Sequence, residues 1–258
     1  MIGAADDARA ADWLVDSAEG DGTLHSMVPR AFEGYARVFH PAALSDGDVR
    51  WADVAAANGR TMHGAAEWGQ LAGSWQLRGE EGLWDSEPHT GPTPERTGLR
   101  LVTILARHTS TPQRCYFGVW EGHGSPQVFV LADRDTPAEE RERIERASQA
   151  DADSWELLIR RAPAFELPMR RMHLLEGRVE EIAAFHGLAR NPPSVWWPAD
   201  RAWCVGSDVD LMSTYVGGAA AAIEAIVSDR ELEALAIPAG QGVTWETDTV
   251  NPPVDPPY

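Results

Sequence analysis

The segment from Trp196 to Gly218, WWPADRAWCVGSDVDLMSTYVGG, constrains the fold more than any other part of the chain. Its apolar and polar residues alternate between positions 200 and 210, which predicts a strand with Trp203 and Val205 on one face and Cys204 on the other. Large aromatic side chains are usually buried. We therefore expect the tryptophans of this segment to fill the core of a fold built around a sheet.

The rest of the chain mixes strands and helices without a regular βαβα alternation. Patterning predicts further strands at 33–42, 114–120, 127–132 and 165–177, the last interrupted by Pro168 as an edge or a bulge. It predicts helices at 9–18, 51–59, 65–71, 136–149, 179–187 and 217–229, while 99–108 reads as a helix or a buried strand. The interspersed pattern predicts an α+β domain over 1–250, with a mixed, largely antiparallel sheet and flanking helices.

The best-defined local signal is the segment TPAEERERIERASQ, which begins at Thr136. Thr136 is placed as the N-cap and Pro137 as the first helical residue, and Glu139 completes a capping box. Few apolar residues follow, so this helix is predicted to lie on the surface.

Residues 79–98 are rich in glycine, proline and charge, and they form the one candidate for a lobe boundary inside the chain. Trp84 and His89 in this loop could line a binding groove, although a loop tryptophan packed back on the domain is the more ordinary arrangement. Residues 251–258, NPPVDPPY, are predicted to be an extended tail.

The composition limits the cellular compartment and the kinds of partner that we expect for this protein. The formal net charge is −18, 43% of the residues are apolar and 11 are tryptophan, which together indicate a soluble globular protein. An acidic surface repels nucleic acid and anionic membranes, so we expect neither as a partner. Cys115 and Cys204 are too few for a disulfide framework, and the start of the chain lacks a signal-peptide pattern, which favours the cytoplasm.

The strongest candidate site lies at the end of the predicted strand. Asp208 and Asp210 would share a face there, which suits a divalent cation or an acid–base pair. Thr214 follows, and Gly217 and Gly218 would open a helix whose free N–H groups could hold an anion. In the alternative interpretation, these residues only solvate a strand end and permit close packing.

Two weaker candidates involve histidine and cysteine. His63 and Glu67 lie four residues apart, so a helix would place them on one face as a metal or general-base pair, but the second histidine of a zinc helix is missing. Cys115 has Arg114 beside it and could be a nucleophile, although a cysteine in a strand is usually a small buried side chain. No motif specifies a metal or a cofactor, and none is predicted.

Three segments carry a resemblance to known sequences: VPRAFEGYARVFHPA, RWADVAAANGRTMHGAAEWGQL and the segment from Trp196 to Gly218. Together they resemble a family of uncharacterised proteins from high-GC actinobacteria over most of the chain, which implies no activity. The segment FELPMRRMHLLEG is also similar, over about a dozen residues, to a superfamily of immunity and scaffold domains. No functional residue is transferred from either resemblance.

These observations favour a non-enzymatic cytoplasmic binding domain of the immunity or regulatory type. Its ligand would be a basic protein partner or a small molecule, and the oligomeric state is left open. The alternative is a metal-assisted hydrolase that uses Asp208, Asp210 and His63 with backbone donors near Gly217. Whether the protein catalyses any reaction is not decided by the sequence.

Overall fold

The structure is a computed structural model that describes residues 1–45, 47–74, 83–123, 136–186 and 192–254. Within these ranges the α-helices are α1 Asp12–Val15, α2 Trp51–Ala57, α3 Trp68–Ala72, α4 Glu95–Leu105, α5 Ala138–Arg161 and α6 Ala220–Val227. The strands are β1 Gly3–Ala4, β2 Gly34–Phe39, β3 Ala42–Leu44, β4 Gly47–Val49, β5 Cys115–Trp120, β6 Ala164–Leu167, β7 Arg170–Gly177, β8 Val195–Pro198, β9 Trp203–Gly206, β10 Ser213–Gly218 and β11 Ala234–Ile237.

Nine of these strands form one sheet in the order β1–β7–β5–β8–β9–β10–β2–β11, with β6 beside β1 along the outer edge of β7. Each pair in the described part of the sheet is antiparallel. Strands β3 and β4 make a separate two-stranded sheet. The predicted α+β class with a largely antiparallel sheet is therefore confirmed.

The two faces of the large sheet are covered by different kinds of structure. One face packs against α4, α6, the last part of α5 and a 3-10 helix at Val179–His186. The other face is covered by the N-terminal segment up to residue 32. Beside that segment, a third cluster gathers around Trp51, Trp68 and Trp84, whose rings meet edge to face.

The tryptophans of the opening segment lie in the core, as predicted. Trp196 and Trp203 pack together on the helical face, with ring centroids 5.2 Å apart, whereas Trp197 and Cys204 lie on the opposite face. Each buried tryptophan removes on the order of 200 Å² from water, which contributes about 5 kcal/mol of hydrophobic stabilisation as an upper bound.

The glycine pair lies inside a strand, so the prediction that Gly217 and Gly218 open a helix is wrong. Both residues end β10, and α6 begins only at Ala220. A Cβ atom at Gly217 would overlap the ring of Phe32, which packs across this strand. Close packing on the sheet therefore explains Gly217, whereas a Cβ atom at Gly218 would make only ordinary contacts.

Several other boundaries differ from the sequence-based predictions. Strand β9 ends at Gly206, so Asp208 and Asp210 lie in the turn that follows it. Helix α5 begins at Ala138 after an extended Pro137, has no side-chain cap, and runs 24 residues because Ala152 and Trp155 anchor its second half. Segment 165–177 is a hairpin, with β6 and β7 joined at Pro168 and Met169. The predicted strand at 127–132 lies outside the described residues.

Candidate functional site

Polar side chains gather at one end of the large sheet, where three neighbouring strands begin or end. Because β9, β10 and β2 are antiparallel neighbours, the end of β9 lies beside the start of β10 and the end of β2. This geometry brings together Ser207, Thr214 and His40, which follow or begin those strands and are all at least 98% buried. Thr93, from the loop before α4, joins them.

These four side chains form one hydrogen-bonded chain whose donors can be assigned. The His89 carbonyl, 2.7 Å from His40 Nδ1, can only accept, so Nδ1 carries the proton. His40 Nε2 then accepts from the Thr214 hydroxyl at 2.8 Å, and Thr214 accepts from Thr93 at 2.9 Å. The Ser207 hydroxyl accepts from the Thr93 backbone N–H at 3.1 Å.

Burial favours the neutral form of His40. It lowers the pKa of His40 from 6.5 to about 3, although the hydrogen bond to the His89 carbonyl opposes this shift. A general base works best with a pKa near the operating pH. This shift moves His40 away from the range that suits a general base at neutral pH.

An open cleft with a volume of about 620 Å³ lies beside these four hydrogen-bonded side chains and reaches Thr93. We name it the histidine cleft and define it by His89, His123, His186, Thr93, Glu95 and Val209. Prolines and Phe185 complete walls that are more apolar than polar. The volume and lining are typical of a small-molecule site.

The burial of the three cleft histidines favours their neutral form. Burial lowers the pKa of each of them, opposed at His123 by Asp208 and at His186 by Glu95. His123 packs edge to face on Trp120, and its Nε2 has no hydrogen-bond partner within the described residues and is shielded from solvent. A neutral imidazole offers one donor and one acceptor.

Asp208 and Asp210 converge, but on an arginine. Arg170 donates from Nε and Nη2 to Asp208 at 3.0 and 2.9 Å, and from Nη2 to Asp210 at 2.9 Å. The guanidinium also lies over the Trp120 ring, 5.0 Å from its centroid. The positive charge that these carboxylates need is therefore supplied by the protein itself.

His63 and Glu67 belong to a different polar network, on the other side of the sheet. His63 Nδ1 accepts from the Ala65 N–H, so Nε2 donates to Asp248 at 3.0 Å. Glu67 accepts from the buried Arg37 at 3.2 Å, and burial raises the pKa of Glu67 despite the opposing effect of this arginine. This network ties residues 61–67 to the segment around Asp248.

No group of three or more His, Cys, Asp or Glu side chains is placed to hold a metal ion within the ranges that the structure describes. Asp208 and Asp210 are held by Arg170, while His63 is held by Asp248. The structure therefore does not assemble the metal site suggested by these three residues.

Both thiols are also buried within the sheet. Burial raises the pKa of Cys115 to about 12 and raises that of Cys204 further. A thiol held protonated in this way is a poor nucleophile, which agrees with the interpretation of Cys115 as a small buried side chain.

Sequence reasoning found part of the cleft and missed the rest. Of the two residues that could line a groove, His89 lines the cleft, whereas Trp84 packs back on the domain in the third core cluster, which is the more ordinary arrangement. His40 and Thr93 were missed because their partners lie far away in sequence; His40 and Thr214 are 174 positions apart. His186 ends a 3-10 helix, and no local motif marks it.

Comparison with known proteins adds no name to this fold. No family model matches the chain, and neither curated proteins nor solved structures contain a match. The resemblance to actinobacterial proteins stays a prediction. Among the described residues, none of the helices has the length and apolar character needed to cross a membrane.

Proposed function

We propose that the protein is a non-enzymatic binding protein and that it holds a small, uncharged ligand in the histidine cleft. The observation that carries this proposal is the lining of the cleft, which combines apolar walls with three neutral imidazoles. Such a lining suits a largely apolar molecule with a few hydrogen-bonding groups.

The rigid base of the cleft supports a binding role. Thr93 lines the cleft and is itself fixed by Ser207 and Thr214, so the surface is shaped before a ligand arrives. A preformed site loses little conformational entropy on binding.

The ligand class can be tested with three small probes that differ in charge. Benzamide, benzoate and benzylamine would be titrated at pH 7.5 while the histidine ring signals are followed by NMR. We expect benzamide to shift the signals of His89, His123 and His186 more than either charged probe does. Neutral imidazoles offer no ion pair to offset the desolvation of a charged group.

A matched pair of variants locates the binding. Val209 lines the cleft, so Val209→Trp should fill it and abolish the benzamide shifts. Val250 is 59% exposed and does not line the cleft, so Val250→Trp should leave the shifts unchanged. Equal shifts in both variants, or no shift with any probe at millimolar concentration, would refute the proposal.

The net charge of −18 supports a second proposal, recognition of a basic protein partner in the cytoplasm. Opposite charges speed association and make binding sensitive to salt. A pull-down from lysate should then retain a basic protein at low salt and release it at high salt. Failure to retain any protein at low salt would remove this proposal and leave the small-molecule proposal standing.

A further inference from the structure

Four arginines line a second cavity in a chain whose formal net charge is −18. This cavity, which we name the arginine pocket, has a volume of about 430 Å³ and is lined by Arg50, Arg96, Arg100 and Arg230. Its apolar part includes Phe39 and Leu232, which are 2% and 4% exposed. Pro94 lines both this pocket and the histidine cleft, so the two cavities flank the start of α4.

Two of the four arginines are neutralised by carboxylates. Arg100 donates to Asp229 at 3.0 Å and lies 3.0 Å from Glu231, while Arg96 donates to Asp48 at 2.8 Å. These ion pairs account for two of the acidic residues in the pocket lining, Asp48 and Glu231.

The other two arginines lack such a partner. Within the described residues, no ion pair reaches the guanidinium of Arg50 or Arg230, and Arg50 donates instead to the backbone carbonyl of Arg230. The remaining acid of the lining, Glu233, accepts the backbone N–H groups of Trp51 and Ala52 at 2.7 Å each, so its oxygens are committed to the start of α2. Both arginines are exposed, and neither guanidinium is held in an ion pair within the described residues, although the charge of Glu233 offsets that of Arg50 in part.

A threonine hydroxyl completes the pocket. Thr97 is 6% exposed and lines the cavity, and no hydrogen bond to its hydroxyl is found in the part of the chain that the structure describes. Its oxygen is not fully buried, so a ligand oxygen in the pocket can accept its hydrogen bond.

We propose that the arginine pocket binds a small oxyanion attached to an apolar body. The guanidinium groups of Arg50 and Arg230 would pair with the oxyanion, because arginine presents a planar fork that matches phosphate and carboxylate oxygens. Thr97 would donate to the same group, and Phe39 and Leu232 would contact the apolar body. This site is separate from the histidine cleft and does not depend on the function proposed for it.

The test uses inorganic phosphate, phenyl phosphate and benzoate, titrated calorimetrically into the full chain at low salt. Phenyl phosphate should bind at least about fivefold more tightly than inorganic phosphate, because only the former reaches the apolar wall. Benzoate distinguishes a carboxylate site from a phosphate site. Whichever of benzoate and phenyl phosphate binds more tightly identifies the oxyanion that the pocket prefers.

Variants distinguish binding in the arginine pocket from a general effect of the protein's net charge. Arg230→Gln should weaken phenyl phosphate binding about tenfold, the usual effect of losing a charge-assisted hydrogen bond, and Thr97→Val about threefold. Arg107→Gln makes the same charge change at an exposed position outside the pocket and should have no effect. Equal weakening by Arg230→Gln and Arg107→Gln, or no binding of either phenyl probe at 10 mM (roughly 3 kcal/mol of affinity), would overturn the proposal. Unchanged thermal unfolding of each variant shows that folding is intact.

Discussion

Acid should destabilise the protein through His40, and the size of the effect follows from its burial. Burial holds the pKa of His40 at about 3 in the fold, against 6.5 for an ordinary histidine. As pH falls below 6.5, the unfolded chain therefore binds a proton that the folded chain does not, and stability is lost until pH approaches 3. At pH 4, about 2.5 pH units below the unfolded value, this loss is about 3 kcal/mol at 1.36 kcal/mol per unit.

The variant His40→Gln isolates this contribution, because carboxylates and the other histidines titrate in both proteins. Glutamine can keep a hydrogen bond toward Thr214, so we expect a loss of about 1–2 kcal/mol at pH 7. Between pH 7 and pH 4, however, the variant should lose about 3 kcal/mol less than the wild type. Urea unfolding followed by tryptophan fluorescence at several pH values measures both quantities.

The control is Val250→Gln, which introduces the same amide side chain at an exposed position, removes no titratable group and should leave the pH dependence of the wild type unchanged. The reasoning fails if His40→Gln and the wild type lose the same free energy of unfolding between pH 7 and pH 4. It also fails if His40→Gln raises stability at pH 7, because the chain from Ser207 to His89 would then be a source of strain.

Three further outcomes can be measured. Arg37→Met should lower the free energy of unfolding by about 3–4 kcal/mol, because this 3% exposed arginine donates to Ser213 and two backbone carbonyls; a change below 1 kcal/mol in urea would contradict that. Cys115 and Cys204 should react with an aromatic disulfide reagent only on unfolding, since both are fully buried, and rapid labelling of the native protein would show otherwise. Asp208→Asn should lower Tm by about 2–4 °C through its partly exposed pair with Arg170, and a larger loss of Tm on adding EDTA to the wild type would instead indicate a metal.

The sequence predicted those strands and helices in which the spacing of the apolar residues fits one type of secondary structure. The alternation of Trp203, Cys204 and Val205 matches their distribution over the two faces of β9. The alanines and the Asn-Gly signal around residues 51–59 correspond to α2. In both cases, the burial pattern and the backbone preferences of a few neighbouring residues favour the same secondary structure. These residues are therefore enough to predict it.

The site could be predicted only in part, because its contacts depend on strand order. Asp208 pairs with Arg170, which lies 38 positions away in the sequence. The spacing of residues within the segment DVD does not indicate this pairing. The segment 99–108, which suited a helix or a strand equally well, lies mostly in α4, where it packs against α6 and the 3-10 helix. Gly217 and Gly218 resemble a helix start in sequence, yet both lie in β10, and the packing of Phe32 explains the glycine at 217.

The position of β2 in the sheet has a consequence for synthesis. Both neighbours of this strand, β10 and β11, are synthesised about 180 and 200 residues after residues 34–39. At roughly 5–20 residues per second, the apolar side chains of β2 wait on the order of ten seconds or more for their partners. The nascent chain therefore exposes an unpaired, hydrophobic strand until β10 and β11 have been made.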